Sequence, residues 1–357
     1  MTVPDRPQWA ALPRGLIVLL TVAASVISIA GLQAFASVLG PVVLALVLTI
    51  AVHPIFVRLR RRGTPTWLAM TVMLLAVFAI VLGIAVSLAF SLGQLATVLP
   101  SYQPRFAMLV SETTAALAEI GIGPDQVRAA LSGLDFGAIA GVVTSVLLGL
   151  ANGLSNLVFL LSLLLFMGLD AAGFPDRVHA IGTDRPAIVT ALESFTHGTR
   201  SYLVVTTIFG AIVAVLDGAA VWILGVPLAL LWALVAFVTN YIPNIGFIIG
   251  LVPPALLALL QGGPELALLV VAVYIVINFV IQSVIQPKFI GDAVDLSLTL
   301  TFLSLVFWAW VLGPVGAVLA IPLTLLVKAL LIDVDPHSAW ISTLLTSSKP
   351  EPAPQDG

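Results

Sequence analysis

One acidic residue lies inside an apolar segment that is long enough to cross a membrane. Asp217 is the only carboxylate between Tyr202 and Leu224. A charged side chain at the centre of a membrane helix costs about 2.5–3.5 kcal/mol on the insertion scale, so such residues usually face protein or water. Asp217 could therefore bind a coupling cation, or take up and release a proton. It could instead lie near the outer end of its helix, where it would cap a break before Gly218 or form a structural ion pair.

Three side-chain amides follow one another along a later apolar segment. Asn278, Gln282 and Gln286 are spaced four residues apart, which places them on one face of a helix. A polar stripe on an otherwise apolar span is expected to face the interior of a helix bundle. The stripe could line the route of a small hydroxylated solute, or it could hold neighbouring helices together through hydrogen bonds.

The sequence NYIPNIG, which starts at Asn240, interrupts an apolar run over residues 228–260. Pro243 lacks an amide hydrogen and Gly246 tolerates irregular backbone, so the run is better explained by two short helical legs than by one helix. Broken backbone at membrane depth is tolerated only where it is buried in protein or lines a watery cavity. Asn240 and Asn244 are therefore predicted to face a cavity, although they could also cap the freed backbone groups.

A second apolar run, over residues 296–331, has the same design. Gly313, Pro314 and Gly316 break it near its middle. Two interrupted runs in corresponding positions are the best sequence indicator of a central binding site in transporters. We therefore predict two re-entrant helical hairpins that enter the membrane from opposite sides. Charge bias cannot separate this arrangement from one in which every leg spans fully.

Lys288 and Asp292 lie four residues apart at the end of the apolar span between the two broken runs. Their spacing is typical of a surface ion pair, and Lys288 would also mark the cytoplasmic end of its helix. The two residues could instead act as a gate.

The composition is that of a membrane protein. The chain has 357 residues, of which 60% are hydrophobic and 9% charged, and its mean hydropathy is +1.17. We predict an all-α, polytopic helical bundle. The chain has no cysteine, which excludes disulfides and thiolate metal sites, and no basic stretch indicates a nucleic-acid partner.

The sequence argues against an enzyme. It contains neither a nucleotide-binding G-x-x-x-x-G-K-[ST] motif nor the H-E-x-x-H motif of zinc proteases. An intramembrane aspartyl protease would need a second membrane aspartate beside Asp217. We therefore predict no catalytic residue, no metal and no cofactor.

Charge placement gives a topology. Arginines at positions 58, 60, 61 and 62 form the densest positive cluster, which the positive-inside rule places in the cytoplasm together with both termini. The predicted order is a cytoplasmic head at 1–14, scaffold membrane helices at 15–92, an extracytoplasmic amphipathic cap at 93–140, a membrane helix at 141–169, a cytoplasmic connector at 170–200, a transport unit with both hairpins at 201–333 and a disordered cytoplasmic tail at 334–357.

Three motifs in this order resemble the autoinducer-2 exporter family of bacterial membrane proteins. They are NYIPNIG at 240–246, QPK at 286–288 followed by Ile290 and Gly291, and GPVGA at 313–317 followed by AIP at 320–322. The resemblance implies a multi-spanning inner-membrane exporter, homo-oligomeric and pentameric, with both hairpins in a moving transport unit. One departure is that family members often carry an acidic residue or an asparagine before the QPK motif, where this chain has Asn278, Gln282 and Gln286.

The resemblance leaves the substrate open. Some family members are described as exporters of the quorum-sensing furanone autoinducer-2, and others as sodium(lithium)/proton antiporters. We expect a secondary transporter that exports a small polar, autoinducer-2-like solute by alternating access. Its other partners would be a coupling proton or sodium ion and membrane lipid. The alternatives are a sodium(lithium)/proton antiporter and a channel-forming oligomer.

Overall fold

The computed structural model describes residues 13–119, 126, 136–171, 173–182, 184–243, 245–290 and 296–335. Within these residues the chain is helical and contains no strand. Six helices are long and apolar enough to cross a membrane, or up to seven if the bent pair Ala140–Gly153 and Leu157–Ala171 forms one span. The predicted all-α, polytopic helical bundle is therefore confirmed.

The N-terminal half forms a layer of apolar helices that pack on one another. Helix α2 packs against α6 and α3, and α3 packs against α5. Leu157, Leu160 and Leu164 meet Ala45 and Val77 in the core of this layer. The helices are α1 (Arg14–Ala34), α2 (Ala36–Arg61), α3 (Thr66–Val98), α4 (Gln103–Glu119), α5 (Phe136–Ser155), α6 (Leu157–Ala171) and α7 (Phe174–Gly182).

A single long helix, α8 (Pro186–Ile223), runs from the polar connector into the apolar C-terminal half. Pro186 stands at its first position, where the missing amide hydrogen costs nothing. No further proline interrupts its 38 residues, so it continues through residue 200. Gly218 lies so close to Ala233 that a methyl group there would collide with the Ala233 side chain.

The first hairpin (residues 229–262) consists of α9 (Ala229–Thr239), the break and the first leg of α10 (Gly246–Asn278). Gly246 fits against the carbonyl oxygen of Thr239, and any side chain at Gly246 would overlap that oxygen. The leg ends near the start of the hairpin, because Gln261 Nε2 donates to the Gly225 carbonyl over 2.8 Å. At Gly263 the backbone adopts φ +78°, and a second leg of α10 begins.

The second hairpin (residues 298–328) consists of α12 (Leu298–Val318), which is broken at Gly313 with φ +67°, and α13 (Ala320–Lys328). Trp308 Nε1 donates to Thr324 Oγ1 over 3.1 Å and fastens the two legs. Gly316 fits against the carbonyl oxygen of Trp308, as Gly246 fits against that of Thr239. Both hairpins thus place a glycine of the returning leg against a carbonyl of the first. Their re-entry into a bilayer stays a prediction.

Between the two hairpins the second leg of α10 ends in a π-helical segment, Phe279–Ile285, followed by the short α11 (Pro287–Ile290). Near its end the chain forms a second π-helical segment, Ala329–Asp333, which packs against α8. The tip of the first hairpin reaches the second hairpin, because Ile242 and Ile245 pack on a core cluster that includes Leu305 and Leu312. The two breaks therefore meet in the interior of the C-terminal half.

Candidate functional site

A cavity of about 260 Å³ opens where the two hairpins, α8 and the first π-helical segment meet. None of the described residues that line it is charged, and its polar groups are amides and hydroxyls. Such a surface can hydrogen-bond a neutral polar molecule on several sides. The lining residues are Tyr202, Thr206, Asn240, Ile242, Pro243, Phe247, Gln282, Gln286, Leu296, Thr301 and Ile321.

Hydrogen bonds hold the tip of the first hairpin against α8. The Tyr202 hydroxyl donates to the Tyr241 carbonyl over 3.0 Å, and the Thr207 and Tyr241 hydroxyls are 2.7 Å apart. Asn240 Nδ2 donates to the Thr206 carbonyl over 3.1 Å. The Tyr241 carbonyl lies in the break, where no helical amide is available to it, and the Tyr202 hydroxyl takes that place. This hydrogen bond helps to position the break. The tip is fixed closely enough to form one wall of the cavity.

Asp217 lies behind this cavity and is only 1% exposed. Its Oδ2 accepts a hydrogen bond from Asn278 Nδ2 over 3.3 Å, whereas its Oδ1 has no hydrogen-bond partner among the described residues. No cation pairs with it in the described part of the chain. An unpaired buried carboxylate is strongly destabilising, so neutralisation by a proton or a cation is favoured.

A small space of about 10 Å³ lies beside Asp217, enough for roughly one water molecule. It is shared with Tyr274, which is 1% exposed and whose hydroxyl also has no partner among the described residues. Within the described ranges no cluster of three or more histidines and carboxylates could hold a metal ion. Asp217 Oδ1 and the Tyr274 hydroxyl are thus two oxygens, unpartnered among the described residues, beside a space of about one water molecule.

Side-chain amides join Asp217 to the cavity. Asn278 contacts the carboxylate, and Gln282 Nε2 donates to Asn278 Oδ1 over 2.7 Å. The same Gln282 nitrogen donates to Asn240 Oδ1 over 3.0 Å. Gly210 of α8 makes room for Asn240, since a methyl group at position 210 would stand 2.8 Å from its amide nitrogen. We call Asn278, Gln282 and Asn240 the amide relay.

The structure brings together most of the residues that the sequence singles out. Asp217 and the amide relay converge from α8, α10, the first π-helical segment and the break of the first hairpin, and Gln286 and Pro243 line the cavity. Lys288 is exposed on α11. Asn244 and Asp292 lie outside the described residues. The five residues predicted to break the hairpins are Pro243, Gly246, Gly313, Pro314 and Gly316, and both breaks occur in the stretches that contain them.

Sequence reasoning missed Tyr202, Thr206 and Tyr274 of the site. Tyr274 precedes Asn278 by one helical turn and so extends the predicted polar stripe. Tyr202 and Thr206 have the same four-residue spacing on α8. These spacings are visible in the sequence, but tyrosine and threonine are common on apolar helices and single out a site only when a partner is known.

Comparison with known proteins places the chain in a family. The model of the AI-2E family transporters matches residues 16–334. The AI-2 transport protein TqsA of Escherichia coli (strain K12) is 33% identical over 320 residues, which cover 88% of this chain and 91% of TqsA. YhhT of the same strain, which carries a provisional transporter name, is 27% identical over 337 residues, covering 94% of this chain and 96% of YhhT.

A Haemophilus influenzae protein that also has a provisional transporter name is 32% identical over 339 residues, covering 92% of this chain and 95% of its own. The resemblance seen in the three motifs is thus confirmed. Because the family and these relatives are transporters, the prediction that the chain is not an enzyme is confirmed as well. The chain is a multi-pass membrane transporter and belongs to the AI-2E family.

Proposed function

We propose that this protein is a secondary transporter that exports a small, neutral, hydroxylated solute by alternating access. The observation that carries the proposal is the cavity between the two hairpin tips, which is lined by amides and hydroxyls and backed by Asp217. Small-molecule sites favour concave pockets with a few convergent polar groups. Irregular backbone next to such a pocket is the arrangement that transporters use for central sites.

The chemistry of the lining supports the solute class. With a volume of about 260 Å³, the cavity is slightly smaller than most ligand pockets, which hold about 300–1,000 Å³. The absence of charge among its described lining residues disfavours an ionic solute, because buried charges need partners. An autoinducer-2-like furanone fits this chemistry, and the relative TqsA is named as an AI-2 transport protein.

Sodium(lithium)/proton antiport is a second candidate function. It is favoured by the unpartnered Asp217 Oδ1, which lies beside the unpartnered Tyr274 hydroxyl among the described residues. In an exporter the same carboxylate would carry the coupling proton or sodium ion. In an antiporter it would carry both cations in turn, and the larger cavity would hold only water.

The cellular setting belongs to the same proposal. The arginines at 58 and 60–62 favour an orientation with both termini in the cytoplasm of a bacterium, in its inner membrane. Large apolar side chains such as Ile27, Trp222 and Leu298 are more than two-thirds exposed. They offer surfaces for lipid and for further copies of the chain in a homo-oligomer, for which a pentamer is our expectation.

The test is efflux of autoinducer-2 from proteoliposomes, with and without a proton or sodium gradient. Asp217→Asn is compared with Asp170→Asn, a control at an exposed carboxylate that pairs with Arg177. We expect gradient-driven efflux that is lost in Asp217→Asn and kept in Asp170→Asn. Cation/proton exchange without autoinducer-2 efflux would favour the antiporter. No flux under any gradient would refute both candidates.

A further inference from the structure

The amide relay has a single polarity between Asp217 and Gln282. Asn278 donates one N–H to Asp217 Oδ2 over 3.3 Å and the other to the Tyr274 carbonyl over 2.9 Å. Gln282 donates to Asn278 Oδ1 over 2.7 Å. In both of these steps the amino group faces toward Asp217 and the carbonyl faces away, which is the arrangement that a negative carboxylate stabilises. The direction reverses at Asn240, whose Oδ1 accepts from Gln282 and whose Nδ2 donates to the Thr206 carbonyl.

This polarity decides what Gln282 presents to the solute. A glutamine side chain has two N–H donors and one carbonyl acceptor. Both donors of Gln282 are used inside the protein, one on Asn278 and one on Asn240. Because Gln282 also lines the cavity, its carbonyl oxygen Oε1 is the group left to bind a solute. In this state the cavity accepts a hydrogen bond, as from a hydroxyl.

We infer that the relay couples the protonation of Asp217 to solute binding by setting the orientation of the Gln282 amide. This inference rests on the proposed function, since it places the solute in the cavity. A proton on Oδ2 turns that oxygen from an acceptor into a donor. The Asn278 carbonyl must then turn toward it, which gives up the bond to the Tyr274 carbonyl. Gln282 turns in response, and the cavity loses its acceptor.

The relay responds to a proton on Oδ2, the oxygen that Asn278 contacts. The described groups that bound the small space beside Asp217 come from α8, α9 and the break after it, both legs of α10 and the first π-helical segment. Tyr274 is the one titratable side chain among them besides Asp217 itself. A sodium ion at Oδ1 would leave the Asn278 bond with its present polarity. No proton passes along the relay and no covalent bond changes within it.

The test is infrared difference spectroscopy of the purified full-length protein in lipid, recorded between pH steps and without any solute. We expect the protonated-carboxyl band of Asp217 and a side-chain amide band of Gln282 to appear with the same titration midpoint. Asp217→Asn should remove both bands. Gln282→Leu should remove the amide band alone, which identifies it.

The decisive variant is Asn278→Leu, which cuts the relay but keeps both ends. It should keep the carboxyl band and lose the Gln282 band. The matched control is Gln286→Leu on the same helical face, which lines the cavity outside the relay and should keep both bands. A Gln282 band that survives in Asn278→Leu would overturn the inference. A wild-type spectrum in which the carboxyl titrates without any amide band would also overturn the inference. This second outcome does not depend on the folding of any variant.

This test separates the relay from the transport proposal. Autoinducer-2 efflux without a co-titrating amide band would refute the relay and leave the proposed function intact. A co-titrating amide band in a protein that moves no solute would support the relay and refute solute export.

Discussion

Asp217 combines deep burial with an incomplete set of partners. It has a hydrogen bond from Asn278 on one oxygen and none on the other among the described residues. A buried carboxylate with an incomplete set of partners seldom stabilises a fold, because burying an unpaired charge costs free energy. The cost is understandable if the carboxylate must bind and release a positive charge during each transport cycle.

Asp217→Asn is predicted to unfold at the same temperature as the wild type or at a higher one. Asparagine keeps an acceptor for Asn278 and removes the buried charge. Asp217→Leu removes that acceptor and should lower stability by about 1–3 kcal/mol, the cost of an unsatisfied buried donor. Thermal unfolding in one detergent at neutral pH measures both. A lower unfolding temperature for Asp217→Asn than for the wild type would contradict this prediction, because the buried charge would then stabilise the fold.

Tyr202→Phe is predicted to loosen the tip of the first hairpin. The variant removes the hydroxyl that donates to the Tyr241 carbonyl, with a loss of about 0.5–1.5 kcal/mol for one hydrogen bond. Hydrogen exchange should become faster at the break, around Tyr241. Tyr102→Phe, which lies outside the cavity, is the control. Unchanged exchange at the break in Tyr202→Phe would show that this hydroxyl does not position the tip.

At the level of single residues, the sequence predicted those with a polar side chain at helical spacing. Asp217, Asn278 and Gln282 stand out because polar groups are rare in apolar helices. The hydrogen bonds between them could not be predicted, because Asn278 is 61 residues from Asp217 and Gln282 is 42 residues from Asn240. Spacing within a helix shows which residues share a face and says nothing about the partner across it.

Each hairpin has the same close contact between its legs, in which a glycine of the returning leg lies against a backbone carbonyl of the first leg. Gly246 meets Thr239 and Gly316 meets Trp308 in this way. A carbonyl in a helix cannot move aside as a flexible side chain can. The close approach therefore sets the angle between the two legs, and with it the width of the cavity between the hairpins.

Gly316→Ala is predicted to destabilise the protein by at least the cost of overpacking, about 1–3 kcal/mol. Gly93→Ala on α3 is the matched control, because a methyl group there has open space within 4 Å, and alanine favours the helix. Unfolding temperatures in the same detergent give the comparison. If Gly316→Ala is as stable as Gly93→Ala, the close packing at the break is not a constraint on the hairpin.

At the level of elements, the sequence predicted both breaks, since proline and glycine close together in an apolar run disfavour a continuous helix. It did not predict that α8 would run unbroken through residue 200. The polar residues before that position, such as Glu193 and His197, are compatible with a helix. A change from polar to apolar composition marks a change of surroundings and need not end a helix.

At the scale of the whole molecule, the N-terminal helices pack against both hairpins. Leu92 and Leu95 of α3 share a core cluster with Leu231 and Trp232 of the first hairpin. Helix α2 packs against α12 of the second hairpin. Hydropathy predicted the membrane class and the approximate spans. It could not predict this contact, because apolar surfaces that face lipid and apolar surfaces that face protein have the same composition.

The central claim is alternating access, in which the transport unit with both hairpins moves against the N-terminal helices. A methyl carbon placed on Gly40 of α2 would lie 3.9 Å from Val315 Cβ at the second break, which is within the range for a disulfide. The wild type has no cysteine, so the pair Gly40→Cys and Val315→Cys forms a unique bridge. Each single variant, and the double variant after reduction, serves as a control.

The measurement is gradient-driven efflux from proteoliposomes before and after oxidation of this pair. We predict that oxidation lowers efflux at least about tenfold, that reduction restores it, and that oxidant leaves both single variants unaffected. Full efflux from a completely bridged protein would contradict the claim, because the second hairpin would then be fixed to α2 throughout transport.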